Sequence, residues 1–145
     1  MVEGAGLNEV VRTAEVKYDV LPSNIDLTAA EVGLLGMDSR EYVMRGLLKG
    51  AAYDYVLIDC PPSLNILTVN ALTAANSVLI PMQCEYYALE GLSALLETIK
   101  ALRASSNPHL DIEGLLRTMY DPRISLSRDV SRQLVTHFGE KLFRT

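Results

Sequence analysis

Tyr53-Asp54-Tyr55-Val56-Leu57-Ile58-Asp59-Cys60-Pro61-Pro62-Ser63 decides the fold: an apolar run ends on a carboxylate and then turns through two prolines. Tyr55 to Ile58 read as a buried parallel strand, because an unbroken apolar run suits a sheet covered on both faces. Asp59 then stands at the strand's carboxyl end. Open α/β sheets bind their ligands at that edge, where a carboxylate holds Mg²⁺ directly or through water. The same pattern suits an aspartate that finishes a strand and caps the next helix, and these residues alone leave both readings open.

Outward from this stretch, strand and helix signals alternate, which predicts a parallel sheet covered by helices. Lys17 to Leu21 reads as a short strand stopped by Pro22, and Thr28-Ala29-Ala30-Glu31 as a capping box. Gly33 and Gly36 weaken the helix that follows, so a break is expected, with a second helix from after Asp38 to about Lys49. Ser63 is expected to cap a helix carrying Leu64, Leu67, Thr68, Ala71, Leu72 and Ala75 on one face. Ser77 to Met82 predicts a strand whose Val78-Leu79-Ile80 centre is continuously apolar. A long helix from about Tyr86 to Ala104 turns Leu92, Leu95, Leu96, Ile99 and Leu102 inward. After Asn107-Pro108 come a strand at about Ile112 to Met119, a helix from Ser125 to Phe138 burying Leu126, Val130, Leu134 and Phe138, and a short strand from Lys141 to Phe143.

Composition narrows the class. The chain has 145 residues, 49% of them hydrophobic and 21% charged, which describes one globular domain's worth of sequence. No apolar run approaches the ~18 residues of a membrane span. MVEGAGLNEV has no basic stretch leading into an apolar one, so a signal peptide is not expected and a cytoplasmic setting is. Cys60 and Cys84 lack metal-ligand spacing, and small buried hydrophobes are the favoured reading of both. The net charge of −5 is uneven: the segment from Arg117 onward carries +3 and the rest −8. That asymmetry permits a local anionic partner, or describes a solvated helix face. His109 and His137 belong to no metal or nucleophile pattern, and Ser93 in Gly-Leu-Ser-Ala-Leu is no nucleophile elbow.

The string from Ile58 to Ile99, IDCPPSLNILTVNALTAANSVLIPMQCEYYALEGLSALLETI, taken with LPSNIDLTAAE (Leu21 to Glu31) and TMYDPR (Thr118 to Arg123), resembles the ParA/Soj family. These are partitioning ATPases of the deviant P-loop class, related to MinD. The resemblance implies an α/β, three-layer, P-loop NTPase-like fold. It implies ATP and Mg²⁺ as ligands, a homodimer, non-specific DNA binding, a ParB-like centromere-binding partner, no membrane, and a nucleoid-associated place in the cytoplasm.

Carried over residue by residue, the resemblance makes Asp59 the Walker B aspartate that orients magnesium's water shell. Cys60, Pro61, Pro62 and Ser63 become the turn that senses the γ-phosphate, although two prolines serve equally as a rigid connection. Glu85, Tyr86 and Tyr87 fall on the nucleotide and dimer side, where Glu85 also suits a helix N-terminal dipole. Met119 and Tyr120 follow a strand at the ligand edge, placed to approach a base or simply to pack. Arg123 matches an arginine that contacts DNA phosphates without regard to sequence.

The phosphate loop of the family is not found. There is no Gly-Lys dipeptide, and Gly4 to Gly6 is the only Gly-x-Gly, with Glu9 where a dinucleotide fingerprint needs glycine. Residues 1–145 are therefore expected to be a single partial domain, the middle of a ParA-like ATPase lacking the phosphate-loop strand and a C-terminal segment. Such a piece is expected to bind no ATP tightly and hydrolyse none alone, and to expose apolar surface. The competing reading is a non-catalytic fragment that pairs with an intact relative. A receiver-type phosphoacceptor role for Asp59 lacks the paired acids and the lysine it needs.

Overall fold

The computed structural model describes residues 6–16, 18–24 and 27–144, leaving aside the side chain of Tyr86. Two compact units divide the chain, Met1–Ala74 and Ala75–Thr145.

The first unit opens with the single-turn helix α1 (Leu7–Val10) and two short strands, β1 (Arg12–Thr13) and β2 (Asp19–Val20). The strands pair antiparallel, Arg12 opposite Val20 and Thr13 opposite Asp19. The hydroxyl of Tyr53 donates to Asp19 Oδ2 at 2.7 Å, and this bond first, with one from Thr13, holds the carboxyl of Asp19 below the usual range. Part of the strand expected over 17–21 is thus present, and Lys17 lies outside the described residues. Helix α2 (Leu27–Leu35) already includes Thr28, so Thr28 is not its N-cap and the expected capping box does not form. The helix stops short of Gly36, where the glycines placed the break. Ser39, in the left-handed region at φ 54°, redirects the chain into a 3₁₀ turn (Arg40–Tyr42) and helix α3 (Val43–Leu48).

Helix α4 (Ile66–Ala74) is capped by Asn65, whose side-chain carbonyl accepts the backbone N–H groups of Leu67 and Thr68, each at 3.1 Å. Ser63 was the expected cap. It instead offers its carbonyl to the hydroxyl of Thr68 at 2.7 Å, and Leu64, ahead of the helix, is exposed. Fully buried Asn70 ties α4 to its neighbours: it accepts from the Met44 N–H at 3.0 Å and donates to the Arg40 carbonyl at 2.8 Å.

The strand expected over Tyr55–Ile58 does not form. Strands are stable only when laddered to a neighbour. No described residue pairs with this run, and Tyr55 and Leu57 are 88% and 95% exposed.

The second unit holds a parallel pair, β3 (Ser77–Gln83) and β4 (Asp111–Thr118), joined by the eighteen-residue helix α5 (Tyr86–Arg103). Their register runs from Ser77 opposite Asp111 to Gln83 opposite Thr118, with an irregularity after Val78. Helix α6 (Ser125–Phe138) follows, matching its predicted span. The chain next makes a 3₁₀ turn (Gly139–Lys141), where a strand was expected to begin, and only Leu142 bridges to Leu115 in parallel. Ile80, Met82, Cys84, Leu92, Leu115, Val130, Leu134 and Leu142 form one buried cluster. Two expectations fail by register. Ser127, Val130, Ser131 and Leu134 define the buried stripe of α6, one step away from exposed Leu126. In β3 burial alternates, so Leu79 stays 49% exposed despite the continuous apolar run.

Candidate functional site

Asp59, Cys60, Pro61 and Pro62 lie in the first unit, on the exposed connection into α4. Asn65, not Asp59, caps that helix, and with no strand over 55–58 Asp59 stands at no strand end. Among the described residues no group of three or more His, Cys, Asp or Glu side chains is placed to hold a metal ion. A single carboxylate at Asp59 fits Mg²⁺ that keeps most of its waters and takes its other ligands from phosphate oxygens. Cys60 is exposed rather than buried, since no strand forms beside it. Its Sγ donates to the Ile58 carbonyl at 3.7 Å. Local desolvation, and after it the Asp59 carboxylate, push the thiol pKa up, which keeps the sulfur protonated and unreactive near neutrality.

Glu85 and Met119 share the carboxyl edge of the β3–β4 pair in the second unit. Glu85 is the extended N-cap residue of α5 (φ −126°, ψ 159°), and its N–H donates to the Gln83 carbonyl at 3.0 Å. Its carboxylate makes no cap hydrogen bond but stands at the positive end of the helix dipole. Met119 sits in the left-handed region at φ 51°, a conformation that costs a non-glycine residue ~1–2 kcal/mol. Packing does not explain it, because Met119 is 83% exposed. Gln83 Nε2 reaches its sulfur at 3.1 Å and links the ends of the two strands. Tyr120 is partly buried, with the Arg117 guanidinium 5.0 Å from its ring centroid.

Arg123 is the exposed cation of Asp121-Pro122-Arg123, yet it is already engaged. Its Nη2 donates to Asp121 Oδ2 at 2.7 Å and its Nε to Oδ1 at 3.0 Å. These side-chain bonds, and then the Arg123 backbone N–H, hold the Asp121 carboxyl below its ordinary range. Other cations of the basic segment are similarly occupied: Arg117 donates to Ser131 Oγ at 2.7 Å, Arg132 pairs with Asp129, and Lys141 with Asp111. The count of +3 already includes Asp121 and Asp129, and Ser131 is neutral, so only the Lys141–Asp111 pair draws on an acid outside the segment. Asp121 and Gln83 were missed in the sequence. Asp-Pro-x, a turn in which aspartate accepts from the backbone two residues on, was the available signal for Asp121. Nothing in the sequence pointed to Gln83.

Residues 1–112 match the AAA domain family. The chain belongs to that family, among its ParA/Soj members. An uncharacterised Pseudomonas putida protein is 61% identical over 88% of this chain and 49% of its own length. The chromosome partitioning protein ParA of Caulobacter vibrioides is 46% identical over 99% of this chain and 55% of its own. A solved cobyrinic acid a,c-diamide synthase from Mycobacterium smegmatis, with bound ADP and magnesium, superposes with a TM-score of 0.86 at 38% identity, over 95% of this chain and 57% of that one. The expected P-loop NTPase-like α/β class is the family's fold. The chain spans about half the length of the curated relatives it matches.

Proposed function

We propose that these residues are the middle portion of a ParA-like partitioning ATPase. The whole protein binds Mg-ATP, dimerises, binds DNA without sequence preference, and works in chromosome or plasmid segregation with a ParB-like partner. The observation that carries this reading is the 46% identity to Caulobacter ParA across 99% of the chain. In this reading Asp59 holds a magnesium-bound water beside the β- and γ-phosphates, the Cys60-Pro61-Pro62 turn senses the γ-phosphate, and Glu85 and Met119 border the nucleotide. Arg123 contacts DNA phosphate. The bound ADP and magnesium of the Mycobacterium smegmatis structure support the choice of ligands.

Phosphoryl transfer depends on positioning and charge stabilisation, and the phosphates need an amide cradle and a lysine. No Gly-Lys dipeptide supplies them in this sequence. Residues 1–145 alone are therefore expected neither to bind ATP tightly nor to turn it over. That absence also favours the second reading, a non-catalytic chain that pairs with an intact relative. Calorimetric titration with Mg-ATP and phosphate-release assays on the full-length gene product separate them. Asp59→Ala should cut turnover roughly 10- to 100-fold, the usual cost of losing a group that acts on a metal through its outer shell. A full-length product that binds no nucleotide supports the second reading. Micromolar ATP binding by residues 1–145 alone, lost in Asp59→Ala, overturns the middle-portion reading.

A further inference from the structure

We propose that Asp121 is an affinity-setting residue for polyanion binding: it presents Arg123 to solvent while masking most of its charge. The inference rests on the reading of Arg123 as a phosphate contact and adds a residue to that site.

The geometry begins with the backbone. Pro122 fixes φ at the second position of a turn closed by the Ile124 N–H donating to the Asp121 carbonyl at 3.2 Å. Asp121 Oδ1 then accepts the Arg123 backbone N–H at 2.9 Å, which aims the carboxylate at the side chain two residues on. Nε and Nη2 of Arg123 lie against that carboxylate, the Nε bonds measuring 3.0 and 3.1 Å and the Nη2 bond 2.7 Å. One edge of the guanidinium is consumed, and the Nη1 edge is left for another acceptor. Exposure is unequal in the same sense: the Arg123 side chain is 88% exposed and that of Asp121 only 30%. The cation is held outward with its own counter-charge beneath it.

Two opposing consequences follow for an approaching phosphate. A fixed guanidinium loses less rotamer freedom on binding, which favours the contact. Against this, the phosphate meets a pair of zero net charge, and non-specific affinity for DNA is set by the charge that displaces counterions. The test below decides between them, and masking is the expected winner because a carboxylate one guanidinium away from the phosphate acts well within a Debye length. Releasing Arg123 therefore changes the local field by a whole charge.

Asp121→Asn tests this, since asparagine keeps the acceptor for the Arg123 N–H and removes only the charge. Asp121→Ser, with a hydroxyl acceptor for the same turn, is the second variant. Binding of the full-length gene product, loaded with a non-hydrolysable ATP analogue, to random-sequence duplex DNA is followed by fluorescence anisotropy from about 50 to 200 mM salt. Both variants should bind about threefold tighter, the scale of one charge at this separation in water. Their log–log salt dependence should steepen by about 0.9 for each Arg123 engaged. Arg123→Ala should weaken binding, and Asp121→Asn should add nothing in that background. If Arg123→Ala weakens binding but Asp121→Asn and Asp121→Ser leave affinity and slope unchanged, Asp121 masking is overturned and the Arg123 contact stands. A gain from Asp121→Asn that persists without Arg123 is a general charge effect and also overturns it. Unchanged affinity in Arg123→Ala removes the contact itself, and the proposal with it.

Discussion

Gly114 lies directly beneath Phe143: a Cβ built on Gly114 would come within 2.7 Å of the Phe143 ring and 2.6 Å of the Lys141 carbonyl oxygen. Only a residue without a side chain lets the segment after α6 descend onto β4, where the Phe143 N–H donates to the Leu115 carbonyl at 2.9 Å. The hydrogen bond and the missing side chain depend on each other, because the bond requires the close approach.

Gly114→Ala should therefore push Leu142 and Phe143 off β4. Overpacking of this kind costs ~1–3 kcal/mol, to be read as a lower urea midpoint at unchanged slope. An unaltered midpoint would mean that the segment is held elsewhere.

Asn70→Ala should leave the Met44 N–H and the Arg40 carbonyl without their side-chain partner inside the first unit. Both bonds are only part-buried, so each one lost costs ~0.5–1.5 kcal/mol. Hydrogen exchange at the Met44 amide is the direct readout, and it should accelerate in the variant. Exchange at the wild-type rate would show that the bond contributes nothing.

Acid should loosen the second unit through Asp111. Lys141, the Ile112 backbone N–H and the charge of Arg103 lower its carboxyl pKa, Lys141 foremost. A carboxylate with a depressed folded pKa stabilises above its unfolded value of about 3.9, and that contribution is lost as pH falls through the folded value. Melting temperature should fall below about pH 4, and Asp111→Asn should flatten that part of the profile while lowering stability at neutral pH. A variant with the wild-type profile would exclude Asp111 as the group responsible.

Residues 1–145 as an isolated chain should self-associate at micromolar concentration. Tyr55, Leu57 and Leu79 leave large apolar surfaces uncovered, and such patches drive association. Sedimentation velocity should show concentration-dependent species that diminish in a Tyr55→Ser, Leu57→Ser double variant. A monomeric wild-type chain with a cooperative high-temperature melt would contradict this.

The main elements of the second unit are legible in sequence because each carries its own signal, the segment after α6 excepted, where a 3₁₀ turn stands in place of the start of the expected strand. Helix α6 repeats its apolar residues at helical spacing and runs over the predicted residues, and β3 and β4 fall within a residue of expectation at each end. The family was equally legible, since the residues from Ile58 to Ile99 and the Thr118–Arg123 motif are specific. Tertiary structure alone decided the rest. Tyr55-Val56-Leu57-Ile58 has every intrinsic preference of a buried strand, but a strand exists only where another backbone ladders with it. Leu126 is apolar and helical, yet the buried stripe of α6 is set by what faces it, and Leu126 falls one step aside. At the candidate site the sequence supplied Asp59 and Arg123 as charges. It did not supply the state of the Arg123 charge, because formal counts treat each ion as independent. The turn at Pro122 folds Asp121 back onto the guanidinium, and charge compensation depends on distances that only the folded chain sets.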